Sequence, residues 1–212
     1  MAAMSTEEFT SLPTRNSTDL WGNNHWASAD FRIQVGLVVI DSKRDRVLFV
    51  REHGTDTDTL PRGADEDVNE MLRSPLRAAE AVCGRKCHRL ALPKLEKDYV
   101  DGGREAVACV TDESTIDPFY VTFDTLWVDR PGQRWPDAYQ RITFWFAGSV
   151  DFDASPDSPP AAPSDGSLRW VPLEDVLDVA KGNDLTVMIL NVFKQLWDNL
   201  KKPPNERVTI LK

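Results

Sequence analysis

Cysteine is scarce in this chain: three in 212 residues, at positions 83, 87 and 109. An odd, small count without a secretory leader excludes a disulfide scaffold and predicts an intracellular protein, cytoplasmic or nuclear. Basic charge is short as well. Lys and Arg number 25 against 34 Asp and Glu, a net charge of −9. Such a balance argues against nucleic acid and anionic membrane as partners, because phosphate-rich surfaces attract basic faces. It leaves room for one small phosphorylated ligand held by a local arginine cluster. Long apolar runs are missing too. The longest aliphatic stretch, Val35–Ile40, is far below the ~20 residues of a spanning helix. Glu7 and Glu8 stand where a signal peptide would be basic and then apolar. No internal repeat is visible. What remains, 41% hydrophobic and 28% charged residues, is the composition of one globular domain with elaborations.

Residues 1–30 are polar and without period, and read as an N-terminal extension with Trp21 and Trp26 as docking anchors. Residues 32–41 are β-branched and almost wholly apolar, which predicts a central strand. A polar turn, Ser42–Asp45, leads to a second strand at 46–51 and so to a hairpin. After Thr59-Leu60-Pro61-Arg62-Gly63 comes an acidic stretch, Asp65-Glu66-Asp67, with Glu70 shortly after. Ser74-Pro75 predicts a helix start, with Ser74 as cap and Gly84 as stop; a helix running through Met71 and Leu72 would be kinked by Pro75. Residues 87–150 are mostly strand-like, clearest at 119–128 and 141–150. Residues 151–167, with four prolines and four aspartates, predict a loop. Arg169-Trp170-Val171-Pro172 re-enters the fold, a short helix spans 173–180, and a last helix covers about 184–200, with Leu185, Ile189, Val192, Phe193, Leu196 and Leu200 on one stripe. The domain is therefore expected over 31–202 with a tail at 203–212. Its class is α/β (α+β), a mixed sheet between helices.

The hairpin, Leu-Pro-Arg-Gly, the helix and the closing Trp-Val-Pro-Leu-Glu-Asp-Val-Leu together resemble the Nudix hydrolase superfamily, closest to its fungal-type members. The family's box reads Gly, five residues, Glu, seven residues, Arg-Glu-aliphatic-x-Glu-Glu-x-Gly. Gly63, Arg77 and Gly84 fall on its three non-acidic fixed positions without a gap. The four glutamate positions hold Asn69, Ala78, Ala81 and Val82, and the aliphatic position holds Ala79. The resemblance implies hydrolysis of a diphosphate linked to another moiety, with Mg²⁺ or Mn²⁺ on the box glutamates. The residues argue against that chemistry, since hard divalent ions take oxygen ligands and these side chains supply no carboxylate. At about 100° per residue, positions 78, 81 and 82 share one helical face and Glu80 lies on the far side, so Glu80 is not a displaced ligand.

The expectation is a degenerate Nudix box: a hydrolase-like pseudoenzyme that keeps a small-molecule pocket, needs no cofactor and holds no metal. Three alternatives stand. The chain could be a weakly active diphosphohydrolase using Mg²⁺ on Glu66, Asp67 or Glu70. It could be a non-hydrolytic isomerase or cyclase in a small-molecule pathway, or a non-catalytic interaction module. No catalytic residue is assigned, and His53, Glu66 and Glu70 are the candidates. Arg51 and Arg62, with His53, suggest an anion-binding corner. Trp127 and Trp145 suggest a surface for an aromatic ligand, because Trp145 alternates with Phe144 and Phe146 across a strand. Arg77 has only Asn69 at the position of its family partner, which implies a structural role. Cys83, Cys87, His88 and Cys109 have the residue types of a Cys₃His zinc site, but a helix end and a strand start are places where cysteine packs as a small hydrophobe.

Overall fold

The computed structural model describes residues 31–51, 57–64, 67–100, 105–128, 132, 137–150 and 168–203. The predicted extension, the 151–167 loop, most of the tail, His53, Asp65 and Glu66 lie outside the described residues.

Two long apolar runs form the centre. β1 (Phe31–Asp41) and β9 (Asp137–Ser149) pair in parallel over Phe31–Ile40 and Gln140–Ser149. Continuous apolar sequence suits such a pair because both faces are covered. β2 (Arg46–Arg51) returns antiparallel to β1, and β10 (Leu168–Pro172) lines the outer side of β2. β3 (Asp58–Thr59) pairs with β2, and β4 (Arg62–Gly63) with β1. On the other side of β9 lie β5 (His88–Arg89) and β8 (Tyr120–Val128). The result is one mixed eight-stranded sheet. A separate antiparallel pair is formed by β6 (Leu92–Val100) and β7 (Glu105–Thr115).

Helices cover both faces, as expected. α1 (Val68–Arg73) and α2 (Arg77–Cys83), with Leu76 just before α2, pack Met71, Leu76, Ala79 and Cys83 against Val35, Leu37, Val39 and Phe146. α3 (Val176–Val179) and α4 (Asp184–Lys201) cover Val38, Ile40, Val47, Phe49 and Trp145 with Val176, Ile189, Leu190, Phe193 and Leu196. α4 is capped by Asn183, whose side chain accepts from the Thr186 N–H, and Phe193 stacks on Trp197 at 6.2 Å. No helix among the described residues is long and apolar enough to cross a membrane.

The helix at Ser74 differs from the expectation. The chain makes two short helices with a break between them, and Ser74 closes the first instead of capping the second. Proline at 75 explains the break, since its ring disfavours helical backbone at the preceding residue. Asp67 caps α1, accepting from the Asn69 and Glu70 N–H groups at 2.8 and 3.2 Å. The far end of α1 is held by Arg89, which donates to the carbonyls of Leu72 and Arg73 at 2.9 and 2.7 Å. A cation there also suits the negative end of the helix. Gly84 ends α2 in the left-handed region at φ 64°, as its sequence position predicts.

Candidate functional site

The box segment runs from β4 through the acidic turn to the end of α2. Its first glycine sets how closely helix and sheet approach. A Cβ on Gly63 would lie 2.7 Å from the Ala78 Cβ, so only glycine lets the first turn of α2 lie on β4. Ala78 and Val82 are half-buried and Ala81 is exposed. The three positions of α2 where the resemblance implies glutamate thus carry small apolar side chains, two of them partly drawn into packing.

Every described acidic side chain nearby is committed elsewhere. Glu80 accepts a hydrogen bond from the Cys87 N–H at 3.0 Å, which ties α2 to the strand that follows. Glu70 faces Arg77 at 3.7 Å, an ion pair with both partners well exposed. Arg77 therefore has Glu70, one residue beyond Asn69, as its acidic neighbour. Asp67 is the α1 cap. Among the described residues, no three His, Cys, Asp or Glu side chains gather into a metal-holding group. Asn69, Ala78, Ala81 and Val82 offer a single neutral amide oxygen where the resemblance implies carboxylates. This donor set does not fit a divalent cation.

The four expected ligand contacts do not converge. Side chains at paired strand positions share a face of the sheet. Arg62 is opposite Gly36, on the face covered by α4. It is half-buried, with its guanidinium 5.5 Å from the Trp145 ring centroid. Arg51 lies on that same face but faces Asp58 at 3.6 Å. Asp58 also receives Arg169 at 3.2 Å. One carboxylate thus sits between two guanidiniums. Sequence reasoning missed Asp58 and Arg169, because their meeting depends on the register that places Arg51 opposite Asp58 and Arg169 opposite Phe49.

The two tryptophans occupy opposite faces. Trp145 is 0% exposed and offers a ligand no surface. Its indole N–H donates to Thr122 Oγ1 at 3.0 Å, and it fills the space over Gly36, where a Cβ would lie 2.4 Å from the ring. Trp127 shares its face with Phe144, through the register that sets Phe123 opposite Ile142 and Val121 opposite Phe144. There Trp127, Phe123 and Val121 are 36%, 64% and 48% exposed. The expected pairing of Trp127 with Trp145 is thus replaced by an exposed apolar stripe on β8. The cysteines do not assemble with His88 either. All three are buried, whereas His88 is exposed.

The chain is similar to solved structures described as NUDIX hydrolases and as a pyrophosphohydrolase. One is a hydrolase of the NUDIX family from Clostridium perfringens, 16% identical, covering 78% of this chain and 97% of that one, with a TM-score of 0.43. Another is a NUDIX hydrolase from Nitrosomonas europaea, at 14%, 77%, 88% and 0.42 respectively. A third is the E. coli dihydroneopterin triphosphate pyrophosphohydrolase, at 12%, 79%, 98% and 0.42. No protein-family model and no curated protein matches the chain. At these identities and TM-scores the likenesses carry no chemistry over to this chain.

Proposed function

We propose that this chain is a Nudix-type fold whose metal-dependent hydrolase centre has been replaced by apolar packing, and that it binds a small anionic ligand without cleaving it. The observation that carries the reading is the donor set of the box. Asn69, Ala78, Ala81 and Val82 stand in the glutamate positions, and Glu80, the carboxylate of α2, is engaged by the Cys87 N–H. The ligand's anionic character is supported by three guanidinium groups, of Arg62, Arg51 and Arg169, on one face of the sheet. Arg62 is the principal contact in this proposal. It is half-buried and held over Trp145, so little side-chain freedom remains to be lost when an anion binds.

The test is a thermal-shift and calorimetric screen of nucleoside diphosphate derivatives in chelator. Binding without added Mg²⁺ and without product release is expected. Charged hydrogen bonds contribute about 1.5–3 kcal/mol, so Arg62→Ala should weaken that binding roughly 10- to 100-fold. Micromolar Mn²⁺ affinity abolished by Glu66→Gln and Glu70→Gln, with metal-dependent turnover, would overturn the reading in favour of a diphosphohydrolase.

A further inference from the structure

The end of α2 holds two thiols in a setting that neither the box nor the proposed ligand face uses. Cys83 is the last residue of the helix and Cys87 immediately precedes β5. Their sulfurs are 4.0 Å apart, and both thiols lie near the Arg85 carbonyl, at 3.5 and 3.8 Å. The intervening turn is fixed at both ends. Gly84 takes the left-handed conformation and donates to the Glu80 carbonyl at 2.9 Å, while the Cys87 N–H donates to the Glu80 carboxylate at 3.0 Å. Both sulfurs thereby meet at the Arg85 carbonyl, in a turn of which Gly84 and Lys86 are exposed.

We infer that Cys83 and Cys87 form a redox-active dithiol site, which hydroperoxides oxidise to an intramolecular disulfide across the C-terminus of α2. In the first step the Cys83 sulfur attacks one peroxide oxygen. The O–O bond breaks, the alcohol or water leaves with the thiol proton, and Cys83 becomes a sulfenic acid. In the second step the Cys87 sulfur attacks Cys83. The S–O bond breaks, and the hydroxide leaves as water with the Cys87 proton. Two thiols lose two electrons together and the hydroperoxide gains them.

The distance suits the second step. A disulfide needs its sulfurs about 2 Å apart, so the pair must close by about half its present separation, within the reach of side-chain rotation in a turn already folded back on itself. The division of roles is also set locally. The hydrogen bond from Cys87 lowers the Cys83 pKa to about 7, against the opposing effect of burial, with help from the Arg85 backbone and charge. The same hydrogen bond, with burial, raises that of Cys87. Cys83 is the thiolate that attacks peroxide, and Cys87 is the resolving thiol. Cys109, on β7, takes no part.

The experiment uses the full, reduced chain exposed to hydrogen peroxide, then alkylated under denaturing conditions and mapped by mass spectrometry. The expected product lacks two hydrogens, contains a linked Cys83–Cys87 peptide and carries one alkyl group, on Cys109. Cys87→Ser should stop at a sulfenic acid on Cys83 that a dione reagent traps. Cys83→Ala should slow peroxide consumption at least about tenfold, since it removes the thiol that attacks the peroxide. Cys109→Ser should leave the rate unchanged. If the unmutated chain keeps three alkylatable thiols after peroxide, or links through Cys109, the inference is overturned. That result needs no variant to fold.

Discussion

Single residues at the box do work unlike that implied by the motif. Glu80 is the clearest example: its carboxylate accepts the Cys87 N–H and so fixes the exit of α2. Glu80→Ala would leave a buried backbone donor without that acceptor, which destabilises by about 1–3 kcal/mol. Urea unfolding should show this loss, while divalent-ion titration should not change. Trp145 and Thr122 form a second pair of this kind, both buried. Thr122→Val keeps the shape but strands the indole N–H, for an expected cost of about 1–3 kcal/mol. An unchanged urea midpoint in Thr122→Val would show that the bond contributes nothing net.

At the scale of elements, the strands were legible where the apolar pattern was unbroken. β1, β2 and the end of β9 fall where the runs of Val, Ile, Leu and Phe place them. The helix stop at Gly84 was equally legible. Its conformation yields a prediction: a Cβ there meets nothing within 4 Å, so substitution tests backbone preference alone. Gly84→Ala should destabilise by about 1–2 kcal/mol and Gly84→Asn by less, because asparagine tolerates the left-handed region better. Thermal melts of the two variants decide it. The split at Ser74 was only half legible, since Pro75 announces a break but not which helix the serine closes. The face of Trp127 was not legible at all. It depends on the β8–β9 register, and slipping one residue moves every side chain to the other side. That register is marked by Asp124 opposite Arg141, joined by two hydrogen bonds, one of 2.7 Å from Nε. Nothing local in either strand announces the pairing.

For the molecule as a whole, the box positions and the core share one structure. Ala78 rests on Gly63 and Val82 is half-buried. Placing glutamate at 69, 78, 81 and 82 would set three like charges on α2 and draw two of them toward apolar neighbours. An unpaired buried charge costs several kcal/mol, comparable with a domain's total of about 5–15 kcal/mol. The quadruple variant, Asn69→Glu, Ala78→Glu, Ala81→Glu and Val82→Glu, should melt lower in chelator and recover as Mg²⁺ is added, by mass action. A variant that folds yet gains nothing from Mg²⁺ would show that these four positions do not converge on one ion.

The indole over Gly36 reaches beyond stability, into how the sequence can drift. No side chain fits at 36 while tryptophan occupies 145, because a Cβ would meet the ring at 2.4 Å. The two positions are locked in order: 145 must shrink before 36 can grow. Enlarging 36 first passes through an overpacked core, a step costing typically about 1–3 kcal/mol or more. In a library randomised at both positions and selected for folding, larger residues at 36 should therefore survive only beside smaller ones at 145, and Gly36 should be the sole companion of Trp145.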